Sequence, residues 1–206
     1  MKEGPIAGIV LAAGEARRFG GRKQLANLQG RPLVQWVLDA ALASDLDEVV
    51  LVLGSGHRQV LETLGLGAAH PRLRVVVNPE FASGQSTSLR AGLKEIGDAC
   101  SAVMFLLADQ PFVTPAVINL LLERYRRSDR LITLPVHRER RGNPCILARA
   151  FYADIWRITG DKGAREIIAN HPAEVLEVEI RDPAVLIDVD LPEDLDRLNR
   201  DPKWAK

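Results

Sequence analysis

A glycine-rich segment near the start of the chain carries the residues with the clearest potential for chemistry. An apolar run over residues 6–10 leads directly into it, and two cations, Arg18 and Lys23, lie within it. Glycine lets the backbone approach phosphate oxygens closely, and the N–H groups of such a loop bind anions. Lys23 supplies a compact positive charge, and Arg18 supplies a planar guanidinium. The segment therefore predicts a triphosphate site. Its assigned residues are Leu11, Ala12, Ala13, Gly14, Arg18 and Lys23.

The segment differs from the two most familiar phosphate-binding patterns. In a P-loop the lysine is followed by serine or threonine, whereas Lys23 is followed by Gln24. The sequence also contains no G-x-G-x-x-G, so the usual dinucleotide fingerprint is missing. The residues therefore favour a different class of nucleotide site.

Two aspartates are candidates for holding a divalent metal ion beside the triphosphate. Asp109 follows an apolar run at 102–107, and Asp190 follows a shorter run at 185–188. Mg²⁺ is usually bound by one or two carboxylates together with phosphate oxygens and water. Asp188 competes with Asp190, because alternate residues of a strand share one face. Each position also has a structural interpretation, since Asp109 can bond its own turn and Asp190 can cap the helix that follows.

Five motifs in a fixed order resemble those of one enzyme family. The glycine-rich segment is similar to the signature L-A-A-G-x-x-x-R-(M/F)-G-x-x-K of nucleotidyltransferases. Four further segments resemble motifs of the molybdenum cofactor cytidylyltransferase family, within the MobA-like nucleotidyltransferase superfamily. Together they cover nearly the whole chain, which makes the resemblance more specific than any one motif. The four segments are Asn78-Pro79 with Gly84 to Leu89, Ala108-Asp109-Gln110-Pro111, Gly160 to Arg165, and Asp188 to Asp194.

The resemblance implies a reaction, a cofactor and a set of partners. The enzyme would transfer CMP from CTP to molybdopterin or its molybdenum complex and release pyrophosphate, with Mg²⁺ as cofactor. The metal would lie on Asp109 and Asp190, and the catalytic residues would be Arg18, Lys23 and Asp109. A molybdenum hydroxylase is the expected recipient of the product.

The resemblance also implies roles for two loops in the middle and later parts of the chain. Gly84 and Gln85 would contact the base and sugar of the nucleotide. Asp161, Lys162 and Arg165 would bind the phosphate of the acceptor, since a helix N-terminus with nearby cations favours an anion. Asp161 has an ordinary interpretation as a helix cap as well.

The preferred base is predicted from one position of the glycine-rich segment. Guanylyltransferase relatives commonly have glycine where this chain has Ala13, and the additional methyl group should narrow the slot and favour CTP over GTP. Several alternatives stay open. They are a guanylyltransferase or other NTP transferase acting on a phosphorylated acceptor, a non-catalytic maturation partner of a molybdenum hydroxylase, and an NAD(P)H-dependent oxidoreductase on the same fold.

The elements that must position these residues follow a repeated strand–helix rhythm. The strand runs are continuously apolar, as expected for strands that helices cover on both faces. The rhythm predicts an α/β fold, a three-layer α/β/α sandwich with a mostly parallel, Rossmann-like sheet of the nucleotide-diphospho-sugar transferase type. Ligands of such sheets bind at the carboxyl ends of the strands, so the segments after residues 6–11 and 102–107 should meet there. A late strand is predicted at Val185–Asp188.

Three arginines, Arg138, Arg140 and Arg141, form either a solvated turn or a guide for the acceptor's phosphate.

Length and composition bound the remaining possibilities. The 206 residues fit a single nucleotidyltransferase domain over 1–206, with a nucleotide-binding part at about 1–112 and an acceptor-binding part at about 113–206. Lysine plus arginine and aspartate plus glutamate number 27 each, and this zero net charge argues against a nucleic-acid binder. No apolar run is long enough to span a membrane and no signal peptide is recognisable, so we expect a cytoplasmic protein with no membrane partner.

Overall fold

A mostly parallel β-sheet forms the centre of the protein. The computed structural model describes residues 2–14, 19–21, 23–65, 70–201 and 203. The strands within these ranges are β1 (Ile6–Ala12), β2 (Asn27–Leu28), β3 (Arg31–Pro32), β4 (Glu48–Leu53), β5 (Leu73–Val77), β6 (Ala102–Leu107), β7 (Ile132–His137), β8 (Arg140–Arg141), β9 (Cys145–Ala148) and β10 (Val175–Glu179).

The order of the strands brings two of the predicted motifs side by side. Seven strands run in the order β10-β7-β9-β6-β1-β4-β5, β8 pairs with β7, and β2 and β3 form a separate hairpin. Strand β1 is parallel to both β4 and β6, and its residue Leu11 pairs with Leu107. Strands β1 and β6 therefore end level with each other. Strand β9 is antiparallel to both of its neighbours, β6 and β7.

Helices cover both faces of the sheet. One large apolar cluster joins α1 and α4 to one face, and a second joins α3, α5 and α6 to the other. This arrangement confirms the three-layer sandwich. None of the described helices is long and apolar enough to cross a membrane. The helices are α1 (Leu33–Leu42), α2 (His57–Thr63), α3 (Gln85–Glu95), α4 (Pro115–Arg127), α5 (Tyr152–Arg157), α6 (Ala164–Asn170) and α7 (Pro192–Arg200).

The last helix packs beside the glycine-rich segment. Leu198 of α7 is buried in a third apolar cluster together with Leu28 of the β2–β3 hairpin and Val189. The side chain of Asn199 accepts a hydrogen bond from the backbone N–H of Gln29 at 2.8 Å. The hairpin directly follows the short helical turn that contains Lys23, so the end of the chain lies close to the predicted triphosphate site.

The predicted strand at Val185–Asp188 is wrong. A 3-10 helix occupies Pro183–Leu186 instead, and Asp182 caps it by accepting a hydrogen bond from the N–H of Ala184 at 3.0 Å. A proline after a capping aspartate favours a helical turn over a strand. Val185 is buried as its apolar character requires, but its carbonyl accepts from Asn143 at 3.1 Å and does not join the sheet.

Candidate active site

A cavity of about 450 Å³ opens where β1 and β6 end. Its floor is the loop after β1, and its walls come from the loop after β6, the start of α3, the segment before α6 and the segment before α7. Most of the residues assigned from the sequence therefore meet here, although they come from five separate parts of the chain. Those lining the cavity are Leu11, Ala12, Ala13, Gly14, Lys23, Gly84, Gln85, Asp109, Asp161 and Asp190. Arg18 lies outside the described residues.

Lys23 joins the two aspartates that were assigned to the metal. Its Nζ donates to Oδ2 of Asp109 at 2.8 Å and to Oδ1 of Asp190 at 3.1 Å. The lysine side chain is only 16% exposed and that of Asp190 is 50% exposed, so solvent screens the pair with Asp109 more weakly than the pair with Asp190. Burial by itself lowers the pKa of Lys23, but Asp109 and Asp190 together outweigh burial and raise that pKa above its ordinary value. The ammonium group is therefore charged at neutral pH and partly neutralises two carboxylates.

Backbone hydrogen bonds bring the two aspartates together. The N–H of Ala108 donates to the carbonyl of Leu11 at 3.1 Å, which fixes the loop after β6 against β1. The N–H of Val189 donates to the carbonyl of Asp109 at 2.9 Å, which fixes the approach to α7 against the same loop. Asp109 and Asp190 are thus held as neighbours by main-chain contacts.

The start of α7 is capped by a residue other than Asp190. Asp194 Oδ2 accepts from the backbone N–H groups of Asp190 and Leu191, at 3.1 and 3.0 Å. This leaves the Asp190 carboxylate directed to Lys23. The alternative ligand, Asp188, does not line the cavity, and the shared-face argument for it fails because residues 185–188 do not form a strand. Burial, with the nearby charge of Asp190, raises the pKa of Asp188.

The residues in the cavity fit a hard divalent cation whose remaining ligands are phosphate oxygens and water. Oδ1 of Asp109 is buried and has no hydrogen-bond partner among the described residues, so this carboxylate has an oxygen available. Within the same part of the chain, no group of three or more His, Cys, Asp or Glu side chains could hold a metal by itself. Two carboxylates suffice for Mg²⁺ or Mn²⁺ where phosphate oxygens and water complete the shell.

Gln24 is a site residue that the sequence reasoning missed. It is buried, and its Nε2 donates to the carbonyls of Ala12 at 2.9 Å and Gly14 at 2.8 Å. These two bonds close the loop after β1 onto the turn that carries Lys23. The sequence gives no local sign that Gln24 is buried, because its two partner carbonyls lie ten and twelve residues earlier in the chain.

In the loop before α3, the backbone at Gly84 lies in direct contact with the backbone at Gly160. Gly84 has φ of +108°, and a Cβ there would overlap Gly160 and lie 2.7 Å from the backbone nitrogen of Asp161. Only glycine tolerates both the conformation and the contact. The N–H of Ser86 donates to the carbonyl of Gly160 at 3.1 Å. The loop assigned to the nucleotide is therefore attached directly to the segment assigned to the acceptor.

The acceptor residues are only partly brought into the cavity. Asp161 lines it, whereas Lys162 is exposed and pairs with Glu166 at 2.9 Å. Arg165 is exposed and does not line the cavity. Burial raises the pKa of the Cys145 thiol to about 12, and Arg165 offsets only part of this rise, so the thiol is protonated and inert.

The arginine-rich turn is the tip of a β-hairpin. Arg138 and Glu139 connect β7 to β8 with φ of +49° and +65°. Arg141 pairs with Glu177 of β10 at 2.7 Å, so its charge is already matched within the hairpin region. Nothing in these contacts draws this arginine toward the cavity.

Comparison with known proteins gives the family. The family model described as the MobA-like NTP transferase domain matches residues 8–175. The chain belongs to this family. It is a nucleotidyltransferase by this membership.

Individual relatives differ in what their names state. The chain is 30% identical over 200 residues to nicotine blue oxidoreductase of Paenarthrobacter nicotinovorans, covering 94% of this chain and 96% of that protein. It is 26% identical over 131 residues to a probable molybdenum cofactor guanylyltransferase of Thermococcus sibiricus, covering 63% of this chain and 61% of that protein. Among solved structures, Rv0371c of Mycobacterium tuberculosis H37Rv superposes with a TM-score of 0.82 and 27% identity, covering 97% of this chain and 100% of that one. A second structure of Rv0371c is a complex with manganese.

The family match spans most of the transferase site but stops short of one part. Residues 8–175 include the loop after β1, Lys23, Asp109 and Asp161, whereas Asp190 follows them. The second carboxylate that contacts Lys23 thus lies in a segment beyond the matched region. The hydrogen bond from Val189 to Asp109 is what ties that segment into the cavity.

Proposed function

We propose that this transferase moves CMP from CTP to the terminal phosphate of molybdopterin, or of its molybdenum complex, and releases pyrophosphate. The observation that carries the proposal is the position of Lys23 between Asp109 and Asp190, in the cavity that the loop after β1 also lines. A cation and two carboxylates beside a glycine-containing loop form a site for a metal–triphosphate complex. We further propose that the reaction takes place in the cytoplasm and that a molybdenum hydroxylase receives the product.

The chain's own residues bind and orient the two reactants. An oxygen of the acceptor phosphate attacks the α-phosphorus of CTP, and the bond from that phosphorus to the pyrophosphate oxygen breaks. Lys23, with Arg18, would neutralise the triphosphate, and the loop after β1 would hold the nucleotide with Gly84 and Gln85. No general base is needed, because the attacking phosphate is already an anion. Catalysis then depends on positioning and on charge neutralisation.

Asp109 and Asp190 are the residues that would hold the Mg²⁺ ion. When bound, the ion would neutralise charge that develops on the phosphate oxygens during transfer. The available Oδ1 of Asp109 supports this assignment. Asp109 contributes to the site in a second way, since its Oδ2 holds Lys23 in place.

The division of the chain between nucleotide and acceptor is part of the proposal. Residues of about 1–112 would bind CTP and those of about 113–206 the acceptor. Asp161 belongs to the second part and lines the same cavity as the nucleotide loop. Lys162 and Arg165 would bind the acceptor phosphate from exposed positions outside the cavity lining, where their charges attract an anion from solvent.

A second candidate function comes from the oxidoreductase relative. Its full-length similarity to this chain supports testing an NAD(P)H-dependent reduction in the same cavity. The paired carboxylates around Lys23 favour the transferase, because a metal–triphosphate complex needs them and a hydride transfer does not.

Pyrophosphate release separates these functions. Purified protein would be incubated with Mg²⁺, molybdopterin and either CTP or GTP, and pyrophosphate would be measured by a coupled assay. We expect release with CTP that depends on molybdopterin. Release with GTP but not with CTP would make the protein a guanylyltransferase. Release that needs a different phosphorylated acceptor would overturn the assignment of molybdopterin as the acceptor. Oxidation of NADPH without any pyrophosphate would favour the oxidoreductase, and cofactor binding without turnover would favour a maturation partner.

A further inference from the structure

We propose that Gly163, in the segment assigned to the acceptor, is a positioning residue for the nucleotide. Its missing side chain leaves the space in which the carboxamide of Gln85 lies, and this placement lets Gln85 contribute to base recognition. The inference rests on the proposed function in one respect, since it takes Gln85 to contact the nucleotide.

The contact between the two residues is close. A Cβ on Gly163 would overlap Oε1 of Gln85 and lie 3.2 Å from its Cδ and 3.9 Å from its Nε2. The carboxamide therefore lies across the α-carbon of Gly163. Gln85 is exposed and lines the cavity, and no hydrogen bond to another described residue holds its carboxamide. The missing side chain of Gly163 is what leaves room for this group in its present position.

The backbone around this contact is fixed independently. Ser86 donates to Gly160 at 3.1 Å, and Gly84 packs directly on Gly160, so the two loops cannot separate easily. The carbonyl of Gly163 accepts from Glu166 at 3.2 Å, within the first turn of α6. Its φ of −106° suits any L-residue. An alanine at 163 would therefore leave the loops in place and displace the side chain of Gln85.

The chemistry of a carboxamide explains why its position matters. It offers one acceptor oxygen and two N–H donors, a pattern that can match the polar edge of a base. To contact a base in this way, the carboxamide needs free space at the position from which its polar atoms reach the base. Gly163 thereby links the acceptor segment to selection of the nucleotide.

The test compares Gly163→Ala in two backgrounds. Calorimetric titration in Mg²⁺ would give Kd for CTP and GTP in the wild type, Gly163→Ala, Gln85→Ala and the double variant. We expect Gly163→Ala to raise Kd for CTP by about two- to tenfold, the effect of one neutral hydrogen bond. In the Gln85→Ala background the same substitution should have no further effect. The KM of the acceptor should not change.

A matched control uses a glycine remote from the cavity. A Cβ on Gly97 would lie 3.5 Å from Oε1 of Glu48, which is an ordinary contact, so Gly97→Ala should leave both affinities unchanged. Gly163→Ala should also fold with a near-native Tm, because only a side chain yields. A variant that did not fold would overturn the inference, and Gln85→Asn, which withdraws the carboxamide, would still measure the role of Gln85.

The outcomes distinguish this inference from the proposed function. A wild-type protein that binds neither CTP nor GTP would remove the proposed function. Normal CTP binding by the wild type and by Gly163→Ala would overturn the inference alone. An equal loss of affinity from Gly163→Ala with and without Gln85 would show that Gly163 acts by another route, and would overturn it as well.

Discussion

On the side of the cavity assigned to the nucleotide, hydrogen bonds to the backbone hold the loops in place, whereas on the acceptor side the cations pair with a nearby residue or lie in solvent. Gln24 holds two carbonyls of the loop after β1, and the backbone at Ala108 and Asp109 is hydrogen-bonded both to β1 and to the approach to α7. Lys162 instead pairs with Glu166 in the first turn of α6, and Arg165 is exposed. The nucleotide side is thus preorganised. Because the cations of the acceptor side are exposed, we expect substitutions there to leave the sheet undisturbed.

The largest effect is expected from Asp109→Asn. The amide keeps the shape of the side chain but removes the charge that holds Lys23 and the metal, so kcat/KM should fall by about a hundredfold or more with the fold intact. Pyrophosphate release at saturating Mg²⁺ measures this, with circular dichroism as the check of the fold. Asp98→Asn is the control, because Asp98 is fully exposed and its pairing with Arg149 is long, at 4.0 Å. Unchanged release would remove Asp109 from the metal site.

Lys23→Met should have two opposite consequences. Losing a charged contact to phosphate should raise Kd for CTP by about 10- to 100-fold. The same change should tighten Mn²⁺ binding to the nucleotide-free protein, since the ammonium no longer occupies the space between two carboxylates. Titration followed by electron paramagnetic resonance of free Mn²⁺ gives the second value. Lys94→Met is the matched control, and weaker Mn²⁺ binding by Lys23→Met would contradict the arrangement.

Gln24→Met tests whether the nucleotide side is held by its backbone contacts. The methionine keeps the volume but leaves the carbonyls of Ala12 and Gly14 without this donor, so the free energy of unfolding should fall by about 1–2 kcal/mol. Urea denaturation measures the loss. Gln59→Met, at an exposed position of α2, should cost nothing measurable. Equal stability of the two variants would mean that the loop needs no support.

Arg165→Ala tests whether an exposed cation on the acceptor side contributes to acceptor binding. An exposed cation at the rim should contribute modestly, so we expect the KM of molybdopterin to rise severalfold while the KM of CTP stays constant. Steady-state kinetics with each substrate varied in turn gives both numbers. Arg157→Ala is the control, since that arginine is exposed and pairs with Asp154 on α5. A rise in the KM of CTP alone would place Arg165 with the nucleotide.

Ala13→Gly should have the smallest effect. Ala13 lines the cavity but is only 2% exposed, and its methyl group packs in the apolar cluster beneath α3. Removing it should erode a preference for CTP over GTP without inverting it, because one methyl group contributes only about 1–3 kcal/mol of discrimination. The ratio of kcat/KM for the two nucleotides is the measurement. A wild-type preference for GTP would refute the cytidylyltransferase assignment and leave the nucleotidyltransferase intact.

The sequence predicts the parts of the site that depend on local pattern. Continuous apolar runs identify β1 and β6, and the rule for parallel sheets places the segments that follow them at one edge. The cavity contains both, together with Asp109 and Asp190. The position of Asp109 follows from residue type and order along the chain. The strand expected before Asp190 is a 3-10 helix, so the residue pattern alone does not place Asp190.

Other parts depend on contacts that the chain makes only after folding. An apolar run cannot show that Val185 is buried without a strand partner in the sheet. The antiparallel direction of β9 is likewise invisible in four apolar residues. Gln24 reaches carbonyls ten and twelve residues earlier, and Gly84 touches Gly160 across the fold. No local propensity encodes any of these contacts.

The hydrogen bond from Val189 to Asp109 also bears on how the protein is made. The ribosome synthesises β1, Lys23 and β6 early, yet Asp109 gains this support, and Lys23 its second carboxylate, only once residues 189 and 190 have been added. Helix α7 then covers the β2–β3 hairpin. A chain interrupted before residue 189 would contain the whole family match and still lack the contact between Lys23 and Asp190. Translation therefore adds all the described strands of the sheet before it adds the second carboxylate that contacts Lys23.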